Sequence, residues 1–135
     1  MNEAAMVAAR HEEKVLSALS HLRNGNIEDA LVEFAEEFCF TDRALELEFT
    51  DRKRLREFLL KERGLYSGSS FHIKKSVVTE DHVIAEWLLQ YTVKESFYGD
   101  FSRDVPVSLQ GVSVVRTREG KVTEWSDYYD GLIST

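Results

Sequence analysis

The sequence predicts an α+β domain in which N-terminal helices pack on a strongly curved, mostly antiparallel sheet. Three observations point there. Apolar residues recur at helical spacing through the first half of the chain. From Ser70 onwards they alternate with a period of two. The order is helices first, then consecutive strands joined by short turns, which favours an antiparallel meander of about five or six strands over a parallel sheet.

Each element has its own signal. Val15, Leu16, Leu19 and Leu22 fall at i, i+1, i+4 and i+7, predicting an amphipathic helix from about residue 4 to residue 23. Asn24-Gly25 ends it, and Asn26 is placed to cap a second helix with Glu28 and Asp29 in its positive first turn. The apolar stripe of that second helix runs Ile27, Ala30, Leu31, Phe34, Ala35 and Phe38. Phe38 to Thr41 reads as a strand, and Leu45, Leu47 and Phe49 alternate with Glu46 and Glu48 as a short, half-buried strand does. A third helix starts after Asp51 with the stripe Leu55, Phe58 and Leu59, and Gly64 suits a left-handed residue at its end.

In the second half, Phe71, Ile73 and Val77 alternate with His72, Lys74 and Ser76. Thr79-Glu80-Asp81 turns the chain into a long strand over residues 83–93, whose one face carries Val83, Ala85, Trp87, Leu89, Tyr91 and Val93. A loop is expected from Lys94 to Arg103, then a strand from Val105 to Thr117. Arg118-Glu119-Gly120 makes a tight hairpin into a last strand, Lys121 to Asp130.

Composition narrows the functional classes. At 135 residues, 43% hydrophobic and 30% charged, the chain has room for one core, so one domain over residues 1–135 is expected. A net charge of −7 repels phosphate backbones and anionic headgroups, which disfavours nucleic acid and membrane surfaces as partners. The single Cys39 cannot form an internal disulfide or a cysteine-ligated zinc site. His11, His21, His72 and His82 lack the spacing and neighbouring acids of a metal site. Residues 1–10 lack the basic start and apolar centre of a secretion signal, and no run approaches 18 apolar residues. A cytoplasmic location is therefore expected, with no cofactor.

Two local patterns resemble a known superfamily. The first runs Asn24-Gly25-Asn26-Ile27-Glu28-Asp29-Ala30 and on to Phe34-Ala35-Glu36-Glu37-Phe38-Cys39-Phe40-Thr41-Asp42. The second runs Gly111-Val112-Ser113-Val114-Val115-Arg116 and then Gly120-Lys121-Val122-Thr123-Glu124-Trp125-Ser126-Asp127-Tyr128-Tyr129-Asp130. With the element order, they resemble the nuclear transport factor 2-like superfamily, and within it the SnoaL-like and ketosteroid isomerase-like branch. The resemblance implies a cone: a bent sheet and its helices around one apolar pocket, commonly in a homodimer. It leaves the activity open, because this fold carries isomerases, epoxide hydrolases, cyclases, dehydratases and binding modules.

Asp42 and Asp127 are the candidate catalytic residues. The spacing from Gly25 to Asp42 resembles the placement of the proton-shuttling aspartate in ketosteroid isomerase-like proteins. Removing a proton beside a carbonyl needs a carboxylate at a pocket wall, where limited hydration makes it a stronger base. The structural alternative for Asp42 is a turn residue that accepts backbone N–H bonds or pairs with Arg43. Alternation places Asp127 between Trp125 and Tyr129 on one face of the last strand. The resemblance also points to Asp127, since epoxide hydrolases and cyclases of the superfamily use an acid in that motif. Its structural alternative is an anchor for a neighbouring helix or a dimer contact. Trp125, Tyr129, Trp87, His72 and Tyr66 are the candidate substrate-binding residues.

Two expected parts of related machinery are missing. Residues 85–90 contain no Arg-x-Asp of the kind that resemblance to limonene epoxide hydrolase would require, although Glu86 offers one carboxylate. No tyrosine precedes Tyr66, so the first helix lacks the oxyanion donor of ketosteroid isomerase-like enzymes, and Ala18 stands at the matching spacing. Tyr66, Tyr91, Tyr98 or Tyr129 would have to supply that donor from another wall. Cys39 reads as a small buried hydrophobe, and Arg103-Asp104 as a surface ion pair or a gate at the pocket mouth. The expected function is handling of a small apolar molecule with carboxylate acid–base chemistry, of the isomerase, cyclase, dehydratase or hydrolase kind. The alternative is a non-catalytic ligand-binding or oligomerisation module.

Overall fold

The computed structural model describes residues 3–93 and 105–133, the last three as backbone only. The expected loop from Lys94 to Arg103, with Tyr98 and the Arg103-Asp104 pair, lies outside the described residues. The elements in chain order are helix α1 (Glu3–Arg23), helix α2 (Ile27–Leu31), strand β1 (Phe34–Asp42), strand β2 (Leu47–Phe49) and helix α3 (Arg52–Arg63). Strands β3 (Tyr66–Val78), β4 (His82–Val93), β5 (Val105–Arg118) and β6 (Lys121–Ile133) follow. The six strands form a sheet in the order β2-β1-β6-β5-β4-β3. β1 runs parallel to β6, and every other neighbouring pair is antiparallel. This is the α+β, mostly antiparallel architecture that the sequence predicts.

Two local expectations need correction. α2 ends at Leu31, and Phe34 already opens β1. A four-residue spacing such as Phe34 to Phe38 is shared by the helical and the strand period, so the stripe did not discriminate between them. Phe34 pairs with Val122 and Cys39 with Glu124, and the irregular stretch between them bends β1 into line with β6. Asn26 makes no side-chain cap; its carbonyl accepts the Ala30 N–H at 3.2 Å. Gly64 ends α3 with φ −66°, a right-handed turn into β3, not the left-handed residue expected.

Other expectations hold. Asp51 caps α3, its Oδ1 accepting the Lys53 N–H at 2.8 Å and the Arg54 N–H at 3.2 Å. Glu119 (φ 53°) and Gly120 (φ 78°) both have the left-handed backbone of a two-residue hairpin turn between β5 and β6. The core joins the α1 stripe of Val15, Ala18, Leu19 and Leu22 and the α3 pair Leu55 and Leu59 to one face of the sheet. Val83, Ala85, Trp87 and Leu89 supply that face on β4, with Val115, Val122 and Trp125 beside them.

Strand register aligns two rows of residues across this helix-covered face. Ile73, Trp87, Gly111 and Tyr129 are partners in turn across β3, β4, β5 and β6. Ala85, Ser113, Asp127 and Asp42 are partners in turn across β4, β5, β6 and β1. The missing side chain at Gly111 makes room for Trp87: a Cβ there would lie 2.6 Å from the indole ring and 2.8 Å from the Tyr128 carbonyl oxygen. Gly111→Ala should therefore destabilise the fold by about 1–3 kcal/mol through overpacking. Gly64→Ala, whose nearest contact is 3.4 Å away, is the control expected to change little. Urea midpoints of the two variants check both outcomes.

Candidate functional site

The site starts at the C-terminal end of α1. Arg23 follows Leu19 by one helical turn, so it sits on the buried stripe and not on the wet side. A buried guanidinium needs a counter-ion and hydrogen-bond acceptors. Asp127 on β6 supplies both, its Oδ2 accepting from Arg23 Nη2. The Arg23 plane also lies over the Trp87 ring, 4.7 Å from its centroid.

The other oxygen of Asp127 is equally committed. Oδ1 accepts from the Trp125 indole N–H at 2.8 Å and from the Ser113 hydroxyl at 2.5 Å, while the Trp87 indole N–H donates to that hydroxyl at 2.9 Å. Asp127 is 1% exposed and receives three donors, so it anchors α1 to the sheet. That is the structural alternative set beside its catalytic reading, and the two differ in access to substrate.

Asp42 lies beside Asp127 in the parallel register and is also buried. Its Oδ1 accepts the Leu45 N–H at 2.9 Å, closing the turn after β1, and its Oδ2 accepts the Tyr129 hydroxyl at 2.8 Å. Burial and this hydrogen bond push the Tyr129 phenol well above its ordinary pKa, so Tyr129 stays protonated and available as a donor.

Glu62, which sequence reasoning missed, completes the cluster from the last turn of α3. Its Oε1 accepts the Tyr66 hydroxyl at 3.0 Å and lies 3.9 Å from Arg23 Nη1. Burial raises the Glu62 carboxyl above its ordinary pKa; Arg23 and the Tyr66 hydrogen bond oppose this, while Asp42 and Asp127 add to it. Burial and the Glu62 charge likewise push the Tyr66 phenol up. For Arg23, burial alone would lower the pKa, but Asp127 and then Glu62 outweigh it and hold the guanidinium charged. The result is an array, Asp127–Arg23–Glu62, in which one cation joins two carboxylates.

The sequence carried a faint signal for both newcomers. Arg23 extends the stripe of Leu19, and Glu62 that of Leu55 and Leu59, each as a charge at an apolar position in a final helical turn. Both residues line a recess of about 10 Å³ with Leu22, Ile27, Leu59, Tyr66 and a second guanidinium, that of Arg63. That is room for one water-sized atom. Two roomier grooves of about 700 and 640 Å³ lie elsewhere, one beside Cys39 and Arg116 and the other under the N-terminal part of α1.

The candidate substrate-binding residues divide. Tyr66 reaches the recess and stacks on Tyr91 with ring centroids 4.0 Å apart. Tyr129 is half-buried and faces Trp87, centroids 6.3 Å apart. Trp125 is wholly buried between Phe34 and Phe40, at 5.5 and 6.1 Å, so it belongs to the core and has no surface for a ligand. Trp87 is 1% exposed and forms the floor beneath Arg23. His72 is exposed and pairs with Leu88 while Phe71 and Ile73 face the helices. The candidate substrate-binding position of His72 is thus corrected: it lies on the outer face of the sheet, away from the recess. Among the described residues no group of histidine, cysteine, aspartate and glutamate is placed to hold a metal ion.

The sequence profile of the SnoaL-like domain matches residues 15–125, and the chain belongs to that family. No protein among the curated sequences matches it. Among solved structures it is similar to a candidate SnoaL-like polyketide cyclase from Shewanella denitrificans, with TM-score 0.78 and 14% identity over 89% of this chain and 90% of that one. It is also similar to a hypothetical protein of ketosteroid isomerase-like fold from Catenulispora acidiphila in complex with trimethylamine, with TM-score 0.68 and 20% identity over 87% and 85% of the two chains. A third is an LEH-like epoxide hydrolase of Mycobacterium tuberculosis, with TM-score 0.71 and 15% identity over 91% and 84%. At these identities the likeness establishes the fold.

The ion pair can be measured directly. Asp127→Asn leaves Arg23 charged and buried without its directly bonded counter-ion, with only Glu62 at 3.9 Å, and should cost about 3 kcal/mol, the lower end of the usual cost of breaking a buried pair from one side. Arg23→Met should also destabilise, but the double variant should lose much less than the sum of the two. Urea unfolding of the four proteins tests this, and additive losses would show that the two residues do not act as a pair.

Proposed function

We propose that this chain is a cofactor-independent acid–base enzyme acting on a small, uncharged, mostly apolar molecule, by isomerisation, cyclisation, dehydration or hydrolysis. The observation that carries the reading is the Asp127–Arg23–Glu62 array on the helix-covered face, flanked by the hydroxyls of Tyr66 and Tyr129. Arginine and protonated tyrosines at a sheltered wall can stabilise charge that develops on a substrate oxygen. A carboxylate beside them can move the proton. Asp127 takes part by fixing and neutralising Arg23, and Asp42 by orienting the Tyr129 hydroxyl. With Arg23 balanced by Asp127, and with Glu62 and Asp42 together outnumbering the other lining guanidinium, Arg63, the wall favours neutral over anionic ligands. The names of two structural neighbours, a candidate polyketide cyclase and an LEH-like epoxide hydrolase, are in keeping with this reading.

One observation favours a second reading, a non-catalytic binding or oligomerisation module. Trp87 and Trp125 fill the space beneath the array, and the recess among the described residues is small. Either reading is compatible with a homodimer through the outer sheet face, where Val77, Ile84 and Tyr128 stay exposed. No helix among the described residues is long and apolar enough to cross a membrane, and a cytoplasmic setting belongs to the same proposal.

A thermal-shift screen of small lactones, epoxides, steroids and aromatic acids separates these outcomes. A ligand held only by the native state must raise the melting temperature, and the neutral compounds are expected to do so more than the acids. NMR of each hit with the protein should then show its conversion. Hits that persist unchanged would favour the binding module, and a screen with no hits would remove the small-molecule reading.

A further inference from the structure

We propose that Glu62, and not either aspartate, is the residue that moves the proton, with Tyr66 as its fixed partner. This rests on the acid–base reading above. A proton-transfer group must come within hydrogen-bond reach of the reacting atom, so access decides among the three carboxylates. The Asp127 side chain is 2% exposed and that of Glu62 is 23% exposed. Both oxygens of Asp127 and both of Asp42 accept donors from the protein. In Glu62 only Oε1 is engaged, by Tyr66, and Oε2 takes no donor among the described residues. Glu62 also lines the recess, together with the two groups a reaction needs next to a base: a charged guanidinium and a phenol that keeps its proton.

The arrangement assigns separate tasks. Asp127 holds Arg23, and Arg23 presents positive charge beside Glu62 without neutralising it fully at 3.9 Å. Tyr66 fixes Oε1, which leaves Oε2 to take a proton from a carbon or hydroxyl acid lying over the recess. The substrate class that fits is a neutral molecule with an acidified C–H or O–H bond. An anion would meet the Glu62 carboxylate.

5-Nitrobenzisoxazole tests this without knowledge of the natural substrate, because its ring opening needs only a positioned base. A carboxylate oxygen takes the ring C–H proton, the C–H electrons complete a nitrile, the N–O bond breaks, and the electrons leave on the coloured 2-cyano-4-nitrophenolate. The native protein should accelerate this elimination above an equal concentration of acetate, with a rate that climbs as Glu62 loses its proton, at a midpoint above the ordinary glutamate value. Glu62→Gln should lower the rate about a hundredfold, the lower end of what a positioned base contributes. Glu62→Asp keeps the charge but retracts it by one methylene, and should also lose most of the rate while retaining the melting temperature. Glu28→Gln, on the exposed Arg56 pair, is the control expected to leave the rate unchanged.

No acceleration by the native protein, or equal rates for the native protein and either Glu62 variant, would overturn the assignment. Conversion of neutral ligands that survives Glu62→Gln would remove Glu62 as the base and leave the acid–base reading standing. Absence of any ligand conversion beside Glu62-dependent ring opening would do the reverse.

Discussion

The buried pair of Arg23 and Asp127 is the constraint around which the rest of this molecule is arranged. Two opposite charges out of water hold best when their remaining hydrogen-bonding capacity is met, and here Asp127 meets it fully while the buried Nε of Arg23 has no partner among the described residues. The hydrogen bonds and ring contact around the pair draw on four elements: Arg23 from α1, Ser113 from β5, Trp125 and Asp127 from β6, and Trp87 from β4, which donates to Ser113 and lies under the guanidinium. Trp87 in turn requires Gly111 opposite it. A polar interaction thus dictates where two large aromatic side chains sit and why a glycine faces one of them. Such a pair is weak as a source of stability, since an apolar replacement of equal shape can do as well. Its value lies in fixing the end of α1 against the sheet.

From that fixed point the candidate site follows. Once Asp127 balances Arg23, the guanidinium does not fully pay for the burial of a second carboxylate, and Glu62 stays above its ordinary pKa. The two tyrosines each donate to a different carboxylate, Tyr66 to Glu62 and Tyr129 to Asp42, and neither ionises near neutral pH. One cation, three carboxylates and two phenols therefore share a wall, but with unequal access. The aspartates are enclosed by donors, whereas the glutamate keeps an open oxygen. Chemistry at this wall depends on that inequality more than on the number of acids.

Much of the frame was legible because it rests on period and turn chemistry. Alternation correctly set Trp125, Asp127 and Tyr129 on one face of β6, and Glu119-Gly120 supplied the hairpin backbone. The same rule set His72 on the face opposite Phe71 and Ile73; the helices cover those two, so His72 faces outward, a choice between faces that alternation alone does not make. The Phe34 to Phe38 spacing belongs to both periods, so it cannot by itself show that α2 stops at Leu31 and β1 begins at Phe34. The site was harder. Arg23 and Asp127 are 104 residues apart in sequence, and no local pattern announces that pairing. Glu62 stood at the end of an otherwise apolar stripe, where a charged residue most often snorkels to water. Only the placement of α3 against α1 and β3 shows that it does not.

The most direct test of this account is a carboxyl-carbon NMR titration of Glu62 in the folded protein, assigned by its loss in Glu62→Gln. The account predicts a midpoint above the ordinary glutamate value of 4.5, and a further rise when Tyr66→Phe removes the hydroxyl that stabilises the carboxylate. A midpoint at or below 4.5 would mean that Glu62 is a solvated or fully neutralised counter-ion of Arg23, and the proposed chemistry would lose its base.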